Sequence, residues 1–243
     1  MLYLTQREAV DMELAGLLGI KSGVTALIGG GGKTTAMYRL ARELRGTVIC
    51  CTSVRILPPA HLPVLAGDSR AAVTRALAAA GRVCLGLPAP EGKLGPPALD
   101  MAALPALADY VLVEADGSRG LPVKAHLPHE PVIPDCAGQT ILLVGASGFG
   151  RPIREAVHRP ERYCALSGAS PGERVTPQNL AAALTAEGLG DRVFVNQADT
   201  AALLDLAGEL AALLPWPVWA GSLQGGKWTC LSSCGGAGIS PPA

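Results

Sequence analysis

The chain has 243 residues, enough for one complete α/β domain, and its formal net charge is zero. Because no basic excess is present, we expect no nucleic-acid partner and no electrostatic contact with a membrane surface. Residues 1–14 hold four charged side chains, which is untypical of a secretory signal, and no apolar run approaches the roughly 20 residues that span a bilayer. We therefore expect a cytoplasmic protein that does not enter a membrane.

The first predicted element is a short helix at residues 7–18, which ends at Gly19. We assign residues 1–23 to a helical extension of a single domain that covers residues 1–234. Residues 235–243 are small and include prolines, so we expect them to form a flexible tail.

A strand, a glycine-rich loop and a helix come next in the chain. Residues 24–28 form a continuous apolar run, which is typical of a parallel strand buried on both faces. Residues 34–45 carry apolar side chains at helical spacing. The segment between the strand and the helix is the glycine loop, which consists of Gly29, Gly30, Gly31, Gly32, Lys33, Thr34 and Thr35.

The glycine loop has the chemistry of a phosphate-binding loop (P-loop). Glycine lets the backbone turn so that successive N–H groups point at phosphate oxygens. Lys33 can then reach the outer phosphates, and Thr34 can ligate Mg²⁺. We therefore predict that the loop binds a nucleoside triphosphate, ATP or GTP, together with Mg²⁺. A flexible linker is the alternative interpretation, but a linker has no reason to separate a buried strand from an amphipathic helix.

The glycine loop is shorter than the common form. In the spacing G-x-x-x-x-G-K-[ST], a glycine stands five residues before Gly32, where this chain has Leu27. The short loop resembles that of Mur-type ligases, which phosphorylate a carboxylate with ATP. That resemblance covers the loop alone, and it implies a kinase or ligase of a small molecule as an alternative function.

Further strands and helices alternate along the rest of the chain. We predict strands at residues 47–51, 82–86, 110–114, 140–144, 192–195 and 218–220. We predict helices at residues 68–80, 98–107, 151–158, 159–166, 176–187 and 200–214. This alternation predicts an α/β fold with a mostly parallel open sheet and helices on both faces, a three-layer sandwich like that of P-loop NTPases. Ligands of such sheets bind at the carboxyl ends of the strands.

Glu114 and Asp116 end the strand at residues 110–114 and lie two positions apart, so their side chains share a face if the strand continues that far. In P-loop proteins, an acidic residue at this place completes the magnesium site begun by the loop threonine. We therefore predict Asp116 and Thr34 as metal ligands. Both acidic residues and Lys33 are predicted catalytic groups, with Glu114 supporting the metal or activating water. A turn that needs no metal is the alternative for this Asp-Gly-Ser segment.

Polar residues also follow two other strands. Thr52 comes directly after the second strand, at the same sheet edge as the glycine loop, where it is a candidate contact for the γ-phosphate or the metal. Asn196 and Asp199 follow the strand at residues 192–195, in a segment that resembles the N-K-x-D element with which many GTP-binding proteins read guanine. Gln197 replaces the lysine of that element, so the choice between ATP and GTP stays open. The alternative role for Asp199 is a helix N-cap.

The segment at residues 119–139 is long, irregular and rich in proline. Loops of this length inside a compact domain are usually functional. Its prolines break helical pairing, which argues against a helical zinc motif for its two histidines. We predict instead that its charged residues bind a second substrate, and the candidates are Arg119, Lys124, His126, His129 and Glu130.

Five segments resemble a known family: GGGGKTT, YVLVEADGSRGLPVKAHLPHEPVIP, VHRPER, TPQNLAAAL and VFVNQAD. They are similar to the YqeC family of accessory proteins for selenium-dependent molybdenum hydroxylases, and the similarity extends from about residue 23 to about residue 214. The resemblance implies a P-loop protein that helps those enzymes mature. The family's positions fall on the glycine loop, on the acidic strand end at Glu114 and Asp116, on Lys124, His129 and Glu130, and on Asn196 and Asp199.

These observations predict a Mg²⁺-dependent, NTP-hydrolysing accessory protein whose partner is a molybdenum hydroxylase or an intermediate of its cofactor. Two alternatives stay open, namely the small-molecule kinase or ligase and a switch or scaffold that binds nucleotide without hydrolysing it. A homodimer also stays open, because Trp216, Trp219 and Trp228 can serve either an interface or the core.

Overall fold

The computed structural model describes residues 13–67 and 69–232. No helix in these ranges is long and apolar enough to cross a membrane. The first half of the helix predicted at residues 7–18, the start of the next predicted helix at Asp68, and the tail predicted at residues 235–243 all lie outside the described residues.

Helices account for much of the described chain outside the sheet. The seven α-helices of the described residues are α1 Leu14–Leu17, α2 Lys33–Glu43, α3 Arg70–Ala80, α4 Ile153–Ala156, α5 Pro160–Ser167, α6 Pro177–Glu187 and α7 Ala201–Leu213. Short 3₁₀ helices occur at Pro90–Gly92, Met101–Ala106 and Ala146–Gly148. Thr176 and Thr200 cap α6 and α7, each accepting a hydrogen bond from a backbone N–H of the first turn.

Nine strands of the described residues form one large sheet, and four shorter strands form two small pairs. In chain order the strands are β1 Gly23–Gly29, β2 Val48–Thr52, β3 Val64–Leu65, β4 Arg82–Leu85, β5 Pro88–Ala89, β6 Lys93–Leu94, β7 Tyr110–Glu114, β8 Val123–Lys124, β9 Ala137–Gly145, β10 Val157–His158, β11 Arg192–Asn196, β12 Val218–Ser222 and β13 Lys227–Cys230. The large sheet has the order β13-β12-β11-β9-β1-β7-β2-β4-β3, and β10 pairs with β8 and β5 with β6.

Strand β1 lies at the centre of the large sheet, between β7 and β9, and is parallel to both. Leu27 pairs with Glu114 of β7, and Gly29 pairs with Leu143 of β9. The carboxyl ends of β7, β1, β9 and β11 therefore meet at one edge of the sheet. Only β13 runs antiparallel to its neighbour within the described sheet. The predicted mostly parallel α/β fold is confirmed.

Helices cover both faces because neighbouring residues of β1 point to opposite sides. Leu27 packs in a buried cluster with Met37 and Leu40 of α2. Ile28 packs in a second cluster, which includes Leu180 of α6 and Leu210 of α7. The layers are thus helix, sheet and helix, as predicted, and the glycine loop leaves the central strand between them.

The structure departs from the predicted elements in several places. The segment expected to be a helix at residues 98–107 is the 3₁₀ helix Met101–Ala106, because Pro105 has no N–H to continue an α-helix. The helix expected at residues 151–158 shortens to α4, because Val157 is extended and pairs with Val123 of β8 to form β10. Strand β13 was not predicted, because its four residues are exposed, buried, buried and exposed, and so lack the alternation that marks a strand.

Candidate functional site

The backbone of the glycine loop requires glycine. Gly29, Gly31 and Gly32 have φ angles of 93°, 74° and 122°, which other residues rarely adopt. A Cβ atom on Gly30 would lie 2.7 Å from the carbonyl oxygen of Pro122, so a neighbouring backbone excludes a side chain there as well. The sequence GGGG is therefore a steric requirement of this turn.

Four consecutive backbone N–H groups at the start of α2 have no hydrogen-bond acceptor within the described part of the chain. They belong to Gly32, Lys33, Thr34 and Thr35. The first N–H groups of a helix carry a partial positive charge and bind anions. The N–H groups just before them are already bonded: Gly29 donates to Asp116 at 2.9 Å, and Gly30 donates to the Leu143 carbonyl at 2.9 Å.

Lys33 is folded back beneath the loop. Its Nζ donates to the Gly29 carbonyl at 2.7 Å and lies 3.1 Å from Oδ1 of Asp116. The side chain is only 3% exposed. A buried ammonium group needs such partners, so in this arrangement Asp116 holds the loop lysine where a phosphate would otherwise attract it.

Two more cationic side chains lie close to the carboxylate of Asp116. Its Oδ2 lies 2.6 Å from Nε2 of His126 and 3.4 Å from Nζ of Lys124. Burial alone would raise the pKa of Asp116, but the His126 hydrogen bond and the charges of Lys33, Lys124 and His126 lower that pKa to about 2. Asp116 is therefore an ionised carboxylate at the centre of a buried ionic cluster.

His126 lies between two carboxylates. Its Nδ1 is 2.8 Å from Oε2 of Glu187, and its Nε2 faces Asp116. An imidazole can donate to two carboxylates only when both ring nitrogens carry protons. Burial would lower the pKa of His126, but the hydrogen bonds and charges of Asp116 and Glu187 raise it. Glu187, at the end of α6, was not predicted as a site residue, and no local sequence pattern points to it.

Glu114, and not Asp116, contacts the loop threonine. Oγ1 of Thr34 donates to Oε2 of Glu114 at 2.7 Å. Burial raises the pKa of Glu114, an effect that Lys33 and the Thr34 hydrogen bond only partly offset. Within the described residues, no group of three or more His, Cys, Asp or Glu side chains is arranged to hold a metal ion. A metal beside Thr34 would therefore need ligands from phosphate and water, as Mg²⁺ usually does.

The Thr52 side chain is occupied in fixing the strand end. Its hydroxyl donates to the Glu114 carbonyl at 2.7 Å and accepts from the Val54 N–H at 3.0 Å. These bonds fix the ends of β2 and β7 against each other. The hydroxyl thus binds the backbone of Glu114, while its predicted contact with a phosphate stays a prediction.

Asn196 braces the glycine loop from its other side. Its Nδ2 donates to the Gly31 carbonyl at 2.7 Å, and its Oδ1 accepts from the Leu223 N–H at 2.9 Å. Asp199 is exposed and lines a cavity of about 440 Å³ together with residues of β12 and β13. The helix cap is Thr200, which accepts from the Leu203 N–H at 3.3 Å, so the interpretation of Asp199 as the N-cap was wrong.

The predicted second-substrate residues fall into separate environments. Lys124 and His126 are buried in the ionic cluster around Asp116. His129 is exposed. Arg119 and Glu130 line a cavity of about 490 Å³, which we call the arginine cavity. Its complete lining is Val54, Arg55, Gly117, Arg119, Glu130, His158 and Arg159.

Two residues of the arginine cavity were missed by the sequence reasoning. Arg55 follows β2, and nothing in its local sequence distinguishes it from other surface arginines. His158 precedes Arg159 in VHRPER, one of the segments that resemble the family. That segment was a usable signal, because a histidine and an arginine before a proline have no obvious role in a helix.

The fold and the site define an open parallel α/β protein with a glycine-rich loop at the carboxyl end of its central strand. A family model described as YqeC protein matches residues 25–161. The chain belongs to this family. The "Uncharacterized protein YqeC" of Escherichia coli (strain K12) is 32% identical over 169 residues, which cover 65% of this chain and 66% of that protein. No solved structure matched the chain.

Proposed function

We propose that the protein binds a Mg²⁺–nucleoside triphosphate at the glycine loop and hydrolyses it, as an accessory step in the maturation of selenium-dependent molybdenum hydroxylases or their cofactor. The observation that carries the proposal is the row of four backbone N–H groups at the start of α2, those of residues 32–35, which have no acceptor among the described residues. Such a row binds the phosphates of a nucleotide. The accessory role rests on family membership.

Lys33 and the backbone supply the phosphate contacts. Lys33 exchanges its contacts with Gly29 and Asp116 for the outer phosphate oxygens, where it stabilises the charge that develops as the terminal phosphate leaves. Asp116 remains ionised after this exchange, because Lys124 and His126 still neutralise it.

Thr34 and Glu114 are the protein groups that would hold Mg²⁺. Their side chains already meet at 2.7 Å at the edge of the glycine loop. Bound there, the ion would neutralise charge on the phosphates. Asp116 is less suited to this role than the sequence suggested, because its carboxylate is enclosed by three cationic side chains.

Asp199 is the candidate for reading the base. Its carboxylate lines the 440 Å³ cavity beside β12, and a carboxylate accepts hydrogen bonds from the N1–H and N2–H₂ of guanine. Asn196, two residues before the lining residue Ala198, donates a hydrogen bond to the Gly31 carbonyl of the glycine loop. If guanine is the preferred base, Asp199→Asn lowers GTP affinity and leaves ATP affinity unchanged.

Equilibrium binding followed by phosphate release tests the proposal. ATP, GTP and CTP are titrated with and without Mg²⁺, and free phosphate is then measured with the nucleotide that binds best. We expect Mg²⁺-dependent binding of a purine nucleotide and slow turnover. Binding without release, even with a molybdenum hydroxylase present, would leave the non-hydrolysing switch as the better description. No binding of any nucleotide would overturn the proposal.

Phosphoryl transfer to a second molecule is the other function with structural support. Gly117 lines the arginine cavity and directly follows Asp116, which pairs with the loop lysine Lys33. A second molecule in the cavity would therefore lie close to a terminal phosphate bound by Lys33. Nucleotide labelled in the γ-phosphate distinguishes the two reactions. Label found only in free phosphate supports hydrolysis, whereas label found in a small organic molecule supports a kinase or ligase.

A further inference from the structure

The arginine cavity is strongly basic. Three arginines and one histidine line its volume of about 490 Å³, against the single carboxylate of Glu130. That carboxylate is already neutralised, because Arg159 binds it through two hydrogen bonds of 3.0 and 2.9 Å. Arg55 and Arg119 have no such carboxylate within the cavity. The cavity therefore presents a net positive charge of about two, which matches the dianion of a phosphate monoester.

Two further features mark the cavity as a built site. Arg119 and Arg159 both have left-handed backbones, with φ angles of 51° and 71°, and such strain in residues other than glycine concentrates at ligand sites. Nδ1 of His158 is buried and has no hydrogen-bond partner among the described residues. Burial and the charges of Lys124, Arg159 and Arg119 lower the pKa of His158, against the opposite effect of Glu130. An anion would relieve this repulsion.

A ladder of alternating charges joins the cavity to the glycine loop. The charge ladder consists of Lys33, Asp116, Lys124, Glu130 and Arg159. Its successive contacts measure 3.1, 3.4, 3.5 and 2.9 Å between charged atoms. The side chains of Lys124 and Asp116 are fully buried, so solvent screens the middle of the ladder weakly.

We propose that the arginine cavity binds a phosphorylated small molecule, and that this ligand and the nucleotide weaken each other's binding through the charge ladder. The second half rests on the proposed nucleotide function. A nucleotide draws Lys33 away from Asp116, so the ion pair between Asp116 and Lys124 becomes stronger. Lys124 then attracts Glu130 less, and the ion pair between Glu130 and Arg159 becomes stronger. Arg159 is then less available to an anion. An anion bound to Arg159 has the opposite effect: Glu130 pairs more strongly with Lys124, and Asp116 pairs more strongly with Lys33. Lys33 is then less available to a nucleotide, so the antagonism is reciprocal.

Binding at the cavity is tested with inorganic phosphate and the ring signals of His158 in NMR spectra. The chain has four histidines, so His158→Gln assigns the signal. We expect phosphate to shift this signal saturably and to raise the pKa of His158. Arg55→Ala and Arg119→Ala should each weaken the effect at least fivefold, while Arg75→Ala, on the exposed face of α3, should not. A His158 signal that phosphate does not move, or that moves equally in Arg119→Ala, would overturn the site.

The coupling is tested by repeating the phosphate titration with saturating Mg²⁺–nucleotide. We expect phosphate affinity to fall roughly fivefold or more, a typical coupling between sites, and nucleotide affinity to fall by the same factor when phosphate is added. Glu130→Gln breaks the ladder and should abolish this dependence, whereas simple repulsion between two anions would persist. If no nucleotide binds but His158 still responds, the proposed function fails and the anion site stands. If nucleotide binds and the His158 signal does not respond to phosphate, the anion site fails and the proposed function stands.

Discussion

The two sides of the glycine loop are held by different forces. On the β7 side, the buried carboxylate of Asp116 attracts Lys33, Lys124 and His126. On the β11 side, Asn196 holds the loop with two neutral hydrogen bonds, one to the Gly31 carbonyl and one from the Leu223 N–H. The first side is ionic and buried, while the second binds the loop through an uncharged amide.

This difference separates two tasks. Buried ions are costly to leave unpaired, so the β7 side holds its groups in fixed positions and responds strongly when one charge moves. A neutral amide supports the backbone without imposing a field on its surroundings. Under the proposed function, charge would move on the β7 side during turnover, and the ligand would be selected by shape and hydrogen bonding on the β11 side.

The largest expected effect comes from neutralising the ionic side. Asp116→Asn leaves the buried ammonium groups of Lys33 and Lys124 without their shared counter-charge, and we expect the free energy of unfolding to fall by about 3–5 kcal/mol. Urea denaturation measures this. The control Asp135→Asn changes an exposed carboxylate and should stay within about 0.5 kcal/mol of the wild type. Equal stability of the two variants would show that the cluster is not ionic.

The next largest effect distinguishes the role of Glu114 from that of Asp116 on the β7 side. Glu114→Gln keeps an acceptor for Thr34 but removes the charge, so we expect nucleotide affinity in the presence of Mg²⁺ to fall roughly 10-fold to 100-fold. Affinity measured without Mg²⁺ should hardly change, which serves as the internal control. A loss of the same size without Mg²⁺ would mean that Glu114 acts on the loop and not on the metal.

A smaller effect is expected on the neutral side. Asn196→Ala leaves the Gly31 carbonyl and the Leu223 N–H without partners, which costs about 1–3 kcal/mol of unfolding free energy. Asp199→Asn, at an exposed position nearby, should leave stability within about 0.5 kcal/mol. Equal destabilisation by Asn196→Ala and Asp116→Asn would contradict the difference in stabilising energy between the two sides of the loop.

The smallest effect is a dependence on pH that only the ionic side should show. The pKa of His126 is raised in the folded protein, so its stabilising contribution is complete below its unfolded pKa near 6.5 and is lost as pH rises through the raised value. The slope is at most about 1.4 kcal/mol per pH unit for one proton. Urea denaturation between pH 6 and 9 should show that His126→Gln flattens this decline and that His129→Gln does not.

The sequence was most informative where one physical requirement fixed the residue type. The apolar run of β1 and the four glycines predicted the strand, the turn and the following helix, because each has few alternatives. Strand β7 was predicted with the bounds it has in the structure, Tyr110–Glu114. Strand β13 and the split of α4 from β10 were missed, because short elements take their conformation from their neighbours.

The site was harder to predict than the fold because its contacts join distant parts of the chain. Sequence spacing placed Glu114 and Asp116 on one face but could not show which of them meets Thr34. Nor could it show that Glu187, 61 residues after His126, completes the ionic cluster. The position of Glu187 depends on the packing of α6 into the buried cluster on one face of the sheet, and no local sequence pattern indicates that packing.

Phosphate release by the wild type and by Lys33→Ala, measured side by side with Mg²⁺ and a purine nucleoside triphosphate, tests the central claim most directly. Lys93→Ala is the matched control, since Lys93 pairs with Glu91 at the surface. Circular dichroism establishes that both variants are folded. We predict that Lys33→Ala loses at least about 100-fold in turnover while Lys93→Ala keeps the wild-type rate. A folded Lys33→Ala variant that releases phosphate at the wild-type rate would contradict the account.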